Sequence, residues 1–201
     1  MLYLDSDTKT NLDNFTEQNE NSDLHKYLNL AERENGAENY SARVLNHWEK
    51  EGVLNDLREG GRGWRKYSPM DRIWIKLVQQ LRAFGYPLSK IKVLKEDFYD
   101  QKVLEFAVIQ TGVHRVPLQL VLMEGHDYPF ALVKSGCWPE GLDDPQVSLQ
   151  VEIAGLLAGI YPFWSLEGDV ELFAETLATL NEETPAVQYR SRMFQYLNKK
   201  N

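Results

Sequence analysis

The sequence predicts an α+β protein, in which helices around a short hairpin precede a small α+β domain with a short antiparallel sheet and C-terminal helices. Apolar residues recur at helical spacing through much of residues 22–98, whereas the residues that follow contain β-prone apolar runs separated by turns. A chain of 201 residues is also long enough for two small domains. We therefore expect one domain at 22–98 and a second at 99–201.

The N-terminal segment is polar. Residues 1–21 are rich in Asn, Asp, Thr, Glu and Gln, so they bury too little apolar surface to offset the loss of chain entropy. We expect them to form a disordered or loosely docked arm. This segment does not have the pattern of a secretory signal, and no apolar run approaches the length of a membrane span, so a cytoplasmic protein is expected.

Two helices follow the polar segment. The first is predicted near residues 23–34, where it meets the helix stop Asn35-Gly36. Ser41 is the expected N-cap of the second helix, and Gly52 is expected to end it. The apolar face of this second helix contains Val44, Leu45 and Trp48.

A hairpin and a capped helix come next. Residues 53–67 predict a hairpin with a flexible tip, because glycines cluster at 59–63. Ser68 then caps a third helix, with Pro69 in the first turn and the Asp71 carboxylate returning to the cap. The buried stripe of this third helix is expected to contain Ile73, Leu77, Val78, Leu81 and Phe84.

The sequence becomes β-prone after a fourth helix, which is expected from Leu88 to about Phe98. Residues 118–136 are two apolar runs around a Gly-His-Asp turn, and they predict a hairpin. The other predicted elements are, in chain order, candidate strands at 103–112 and 147–153, a strand or helix at 156–161, a helix from Gly168, and a final helix that follows Pro185 and ends near Leu197.

Charge is distributed unevenly along the chain. The formal net charge is -8, yet the segment from Tyr40 to Glu96 contains 12 Lys and Arg against 6 Asp and Glu, a balance of +6. The rest of the chain contains 10 basic and 24 acidic residues, a balance of -14. This asymmetry indicates that one basic module faces phosphates and that the acidic remainder faces something else.

The motifs between Leu30 and Leu94 occur in the order found in a known family. Residues 41–54, SARVLNHWEKEGVL, are similar to the pattern S-x-R-x-L-x-Y-Y-E-x-x-G-L-L. Residues 63–68 are similar to a wing with the pattern G-Y-R-x-Y-S, and residues 71–91 are similar to the helix that follows the wing and its continuation. This segment resembles the DNA-binding domain of the MerR family of bacterial transcription regulators. The resemblance implies a winged helix-turn-helix within residues 22–98. The residues that match the first pattern are Ser41, Arg43, Leu45, Glu49, Gly52 and Leu54.

The sequence also departs from the family pattern. His47 and Trp48 stand where a tyrosine pair is usual, and Asn46 stands where arginine is common, so the base preference of the family is not carried over. The long dimerisation helix of the family has no counterpart after Phe98, since β-prone sequence follows there. The resemblance covers about a third of the chain. A homodimer is nevertheless expected.

Double-stranded DNA is the expected partner. The early positions of the second helix carry donors for base edges and phosphates, and the hairpin tip combines cations with glycines, which let the backbone approach a phosphate closely. Trp48 and Tyr67 are expected in the core. The candidate DNA-binding residues are Ser41, Arg43, Asn46, His47, Lys50, Arg58, Arg62, Trp64, Arg65 and Lys66.

The leading hypothesis is a sequence-specific, DNA-binding transcription regulator and not an enzyme, because the chain has no phosphate-binding loop, nucleophile elbow or HExxH motif. The alternatives are an excisionase-like architectural DNA-binding factor and a protein-interaction module that has lost DNA binding. The acidic second half is expected to hold dimerisation or effector functions, with a small molecule or a protein as the effector. No cofactor or metal is expected, because His114, His126 and Cys137 do not have metal-ligand spacing.

Overall fold

The computed structural model describes residues 2–4, 6–19, 22–31, 41–56, 58, 65–124, 127–138 and 148–160. The class is α+β, as predicted. No helix in these ranges is long and apolar enough to cross a membrane. The elements within these ranges are, in chain order, β1 (Leu2–Leu4), α1 (Ser6–Asn19), α2 (Asp23–Asn29), α3 (Ala42–Lys50), α4 (Pro69–Ala83), α5 (Leu88–Leu94), a π-helical turn (Lys95–Tyr99), α6 (Val103–Gly112), β2 (Leu118–Met123), β3 (Phe130–Lys134), β4 (Ser148–Glu152) and α7 (Ile153–Ile160).

The strands form one mixed sheet in the order β1-β3-β2-β4. β2 pairs antiparallel with β3 and with β4, and Leu120 lies opposite Leu132 in β3 and Val151 in β4. These three side chains face the main hydrophobic core, whereas Val121 and Ala131 belong to a smaller cluster, because successive side chains alternate between the two faces of a sheet. The antiparallel pairing of β2 and β3 confirms the hairpin predicted at residues 118–136.

The described residues of the N-terminal segment form a strand and a helix that pack against later elements. β1 pairs in parallel with β3, with Tyr3 opposite Ala131. α1 buries Phe15 against Phe106 of α6, with the two ring centroids 5.5 Å apart in an edge-to-face arrangement. The polar composition predicted neither element, because β1 is stabilised by backbone hydrogen bonds to β3, a strand much later in the chain.

The prediction of a strand at residues 103–112 is wrong, since this run forms α6. All side chains from Val103 to Ile109 are buried, and α6 contacts α1, α7, β2 and the π-helical turn. A helix that is buried on all sides has no amphipathic period, so spacing alone does not distinguish it from a buried strand. α6 begins after Lys102, whose φ of 61° lies in the left-handed region and redirects the chain.

Several helix boundaries differ from those predicted. α2 ends at Asn29, earlier than the predicted 34, and α5 continues into the π-helical turn through Tyr99. Residues 156–160 of the ambiguous segment belong to the helix α7, and residue 161 lies outside the described residues. The helices predicted from Gly168 onward lie outside the described residues.

α4 lies in the middle of the described helices and begins with the predicted capping box. The Ser68 hydroxyl accepts a hydrogen bond from the Asp71 N–H at 3.1 Å, and the Asp71 carboxylate accepts one from the Ser68 N–H at 2.8 Å. Phe84 was predicted to be buried and is instead 70% exposed, because α4 ends at Ala83 and Gly85, with φ +80°, turns the chain. The other residues of the predicted stripe, Ile73, Leu77, Val78 and Leu81, are fully buried.

One hydrophobic core crosses the expected boundary between residues 98 and 99. It contains side chains from α3, α4 and α5 together with side chains from α6, β2, β3 and α7. Polar contacts also cross the boundary: the Nδ1 atom of His25 in α2 lies 2.7 Å from Oε1 of the buried Glu105 in α6. Asn29 donates to Oε2 of the same carboxylate at 3.1 Å. The two segments of the chain therefore pack as one structural unit.

Candidate nucleic-acid interface

α3 has well-defined ends. Ser41 precedes it in an extended conformation, and the exposed Ser41 side chain makes no cap hydrogen bond. At the other end, the Val53 N–H donates to the Trp48 oxygen at 2.9 Å and the Gly52 N–H donates to the Glu49 oxygen at 3.0 Å. This is a Schellman motif, and Gly52 permits it by adopting a φ of +76°. The predicted bounds of the second helix are thus confirmed.

One face of α3 is buried and the opposite face is exposed. Leu45 and Trp48 are each 4% exposed and join the main core, with Val44 packed beside them. The core positions predicted for Trp48 and Tyr67 are confirmed. The exposed residues have the spacing i, i+3, i+4 and i+7, which places them on one face of the helix; they are Arg43, Asn46, His47 and Lys50.

The turn after α3 is fixed by the central helix. The indole nitrogen of Trp74 in α4 donates to the backbone oxygen of Val53 at 2.8 Å, and both residues are buried. A buried carbonyl without a hydrogen-bond partner would destabilise the folded state, and the Trp74 indole supplies that partner to Val53. α4 thereby fixes the position of the C-terminal end of α3.

Glu49 connects α3 to the chain on either side of the predicted wing tip. Its carboxylate accepts hydrogen bonds from Arg65 Nε at 2.6 Å and from Arg58 Nη2 at 3.0 Å. Arg58 also donates from Nε to Asp56 at 2.8 Å. The side chain of Glu49 is 7% exposed and that of Arg65 is 14% exposed. The two arginines are therefore paired within the protein, and their charges are offset by those of Glu49 and Asp56.

Arg65 also contacts the exposed face of α3. Its Nη2 atom donates to Oδ1 of Asn46 as well as to Glu49. The hydrogen bond to Glu49 raises the pKa of the Arg65 guanidinium above its ordinary value. Arg65 consequently remains charged and joins a buried acid to an exposed amide.

The remaining wing residues have different positions. Lys66 is exposed next to Arg65, and the following residue, Tyr67, is buried. Burial raises the pKa of the Tyr67 hydroxyl. The candidates Arg62 and Trp64 lie outside the described residues, together with the glycines at 60, 61 and 63.

Two residues at this site are not among the candidates that the sequence predicts. Glu49 was noted as a motif match but not as the partner of two arginines; its place on α3, between the buried and exposed faces, was the available signal. Lys92 of α5 is the second, because its side chain passes the end of α3: a Cβ placed on Gly52 would lie 3.3 Å from Lys92 Cε. Lys92 is exposed and adds a cation beside Gly52, just after the end of α3, which no local sequence pattern indicates.

The site presents a short helix with an exposed row of cationic and hydrogen-bonding side chains, held on a helical core. Such a helix fits the major groove, where cations meet phosphates and donors meet base edges. Helical modules that bind DNA through one exposed helix are a class of protein that presents side chains in this way.

The comparison with protein families agrees with this class. Residues 39–97 match the family described as MerR HTH family regulatory protein. This segment is therefore a MerR-type helix-turn-helix domain, of a regulatory and DNA-binding type. No curated protein and no solved structure matches the chain.

Proposed function

We propose that the protein is a sequence-specific transcription regulator that places α3 in the major groove of duplex DNA and binds an inverted repeat as a homodimer. The observation that carries the proposal is the exposed face of α3, which lies within the segment that matches the MerR family. Arg43 and Lys50 lie at the two ends of this face, seven residues or about two helical turns apart. This length of helix suits contact with a few consecutive base pairs.

The phosphate contacts belong to the cations that are exposed. Arg58 and Arg65 are offset by Glu49 and Asp56, so they add little to long-range attraction for DNA. We assign that attraction to Arg43, Lys50, Lys66 and Lys92, which are all exposed.

The segment between Arg58 and Lys66 acts as the wing in this proposal. The pairing of Arg58 and Arg65 with Glu49 supports it, because the two ends of the segment are held beside α3. Arg62 and Trp64 would then lie at the wing and meet the DNA backbone.

The acidic part of the chain carries dimerisation or effector contact in this proposal. Outside Tyr40 to Glu96 the charge balance is -14, and phosphate would repel such a surface. Two copies related by a twofold axis would present two α3 helices to two half-sites, which accounts for the expected inverted repeat.

The test is selection from random duplexes with the full chain, followed by gel-shift titration of the selected sequence. We expect an inverted repeat, with affinity that falls about a hundredfold or more between about 50 and about 200 mM salt. Arg43→Gln should abolish the shift. Lys134→Gln is the matched control, since it removes the same charge from an exposed residue at the end of β3, and it should bind as the unchanged protein does.

Two outcomes would replace the proposal. Binding without any selected sequence, accompanied by bending in a circular-permutation gel assay, would indicate the architectural factor. A folded protein that binds no duplex at low salt would indicate the interaction module.

A further inference from the structure

The orientation of the Asn46 side chain is fixed by the chemistry of its neighbour. Arg65 contacts the Asn46 amide through Nη2. A guanidinium has donors and no acceptor, so only the amide oxygen can face it. The Asn46 amide therefore has its oxygen against Arg65 and its nitrogen free to point elsewhere.

Arg65 is itself held in place. Its Nε donates to Glu49 Oε1 at 2.6 Å and its Nη2 donates to Glu49 Oε2 at 3.0 Å, a two-point contact. Glu49 lies one turn of α3 after Asn46 at the nearly buried edge of the helix. The series from Glu49 through Arg65 to Asn46 thus runs from the fixed core to the exposed face.

We propose that Arg65 turns Asn46 into a reader of the major groove that acts mainly as a donor and favours guanine. This inference rests on the proposed function, because it assigns a base to one residue of the same interface. Guanine presents the acceptors N7 and O6 and no donor on its major-groove edge. Cytosine presents an amino donor, which the Asn46 nitrogen and the neighbouring Arg65 cation both disfavour.

The proposal differs from the usual behaviour of asparagine on DNA. A free asparagine pairs with adenine, because its oxygen accepts from the adenine amino group while its nitrogen donates to N7. With its oxygen turned towards Arg65, Asn46 has one of the two lone pairs of that oxygen occupied, and the Arg65 cation disfavours the approach of an amino donor, so the preference for adenine is weakened. Glu49 and Arg65 act as positioning residues for base selection, and Asn46 is the contact.

The first experiment compares selections by the unchanged protein, Asn46→Ala and Arg65→Lys. The position at which Asn46→Ala loses selectivity identifies the contacted base pair, and the unchanged protein should require G·C there. Arg65→Lys keeps the charge but loses the planar guanidinium, whose several donors contact Glu49 and Asn46 together. Adenine should therefore also be accepted at the identified base pair. Lys66→Gln is the contrasting variant. It should weaken binding to all duplexes by a similar factor and leave the selected sequence unchanged.

The second experiment places 7-deazaguanine, which lacks the N7 acceptor, at the identified position of the selected duplex. The affinity of the unchanged protein should fall about five- to tenfold, whereas that of Asn46→Ala should not change. Asn46 is exposed, so this readout does not depend on whether Arg65→Lys folds.

The outcomes separate this inference from the proposed function. If the protein selects an operator but requires A·T at the Asn46 position, or is insensitive to 7-deazaguanine there, the inference is wrong and the proposed function stands. Selection by Arg65→Lys identical to that of the unchanged protein also overturns it. Absence of binding to any duplex overturns both.

Discussion

The indole nitrogen of Trp74 donates a 2.8 Å hydrogen bond to the backbone oxygen of Val53, two residues whose positions in the chain are 21 apart. This bond joins the central helix α4 to the turn that ends α3. Since Trp74 also packs against Tyr99, with ring centroids 5.5 Å apart, one side chain connects α3 to the π-helical turn. The candidate DNA-binding helix is thus positioned by residues far from its exposed face.

The first prediction concerns this bond. Trp74→Phe should lower the free energy of unfolding by about 1–3 kcal/mol, because the buried Val53 carbonyl loses its partner. Urea unfolding followed by circular dichroism measures the change. Phe84→Ala is the control, because it alters an aromatic residue that is 70% exposed. Its free energy of unfolding should stay within about 0.5 kcal/mol of that of the unchanged protein. Equal losses for the two variants would contradict the role of the bond.

Local sequence signals predicted the local structure of the helical segment. The Ser68 and Asp71 capping box was predicted because both partners lie within four residues, and Gly52 was predicted as a helix end because few other residues adopt its φ of +76°. α6 and β1 were not predicted correctly. Their structures depend on the surrounding core and on pairing with β3, which are non-local interactions.

The second prediction compares two N-cap serines. Ser68→Ala should cost about 1 kcal/mol of stability, since the hydroxyl of this buried residue accepts from the Asp71 N–H. Ser41→Ala should cost much less, because the Ser41 side chain makes no cap hydrogen bond. Differential urea unfolding of the two variants tests this, and a larger loss for Ser41→Ala would show that the capping assignment is reversed.

The third prediction concerns the contact between α2 and α6. His25→Ala removes a partner from Glu105, whose side chain is 5% exposed, and should lower stability by about 1–3 kcal/mol. A double-mutant cycle with Glu105→Gln should give a coupling of about 0.5 kcal/mol or more. His114→Ala, at an exposed histidine, serves as the control. Additive losses in the cycle would mean that the pair does not stabilise the fold.

The fourth prediction concerns alkaline pH. Burial, reinforced by the neighbouring Asp71 carboxylate, raises the pKa of Tyr99 well above its ordinary value. A raised pKa in the folded state contributes stability that is present below the unfolded pKa of about 10 and is lost as pH increases beyond it. The stability of the unchanged protein should therefore decline above about pH 10.

Tyr99→Phe isolates this contribution. At pH 8 the variant should be about 1 kcal/mol less stable, because Asp71 loses the hydrogen bond from the Tyr99 hydroxyl, which is 2.7 Å long. As pH increases above about 10, the difference between the two proteins should shrink by about 1 kcal/mol per pH unit. Parallel pH profiles would show that Tyr99 ionises equally in both states.

The site was predicted in part. The exposed face of α3 followed from helical spacing, since Arg43, Asn46, His47 and Lys50 alternate with the apolar positions. The charges of Arg58 and Arg65 were also evident, but composition does not reveal that both pair with Glu49. That pairing depends on how the chain returns to α3 after the wing segment, which the sequence does not specify.

The fifth prediction uses Glu49 to separate stability from DNA affinity. Glu49→Gln leaves Arg65 without its charged partner and leaves Arg58 paired with Asp56 alone, so the urea midpoint should fall. The same change removes one negative charge beside α3 and releases Arg65, so low-salt affinity for any duplex should increase. The plot of log affinity against log salt should become steeper by about 0.9 for each arginine that turns to a phosphate. Glu96→Gln removes the same charge from an exposed residue of the π-helical turn and should change neither slope nor midpoint. A lower midpoint with an unchanged salt slope would mean that the released Arg65 does not reach the DNA, and the wing would then have to bind through Lys66 and its neighbours.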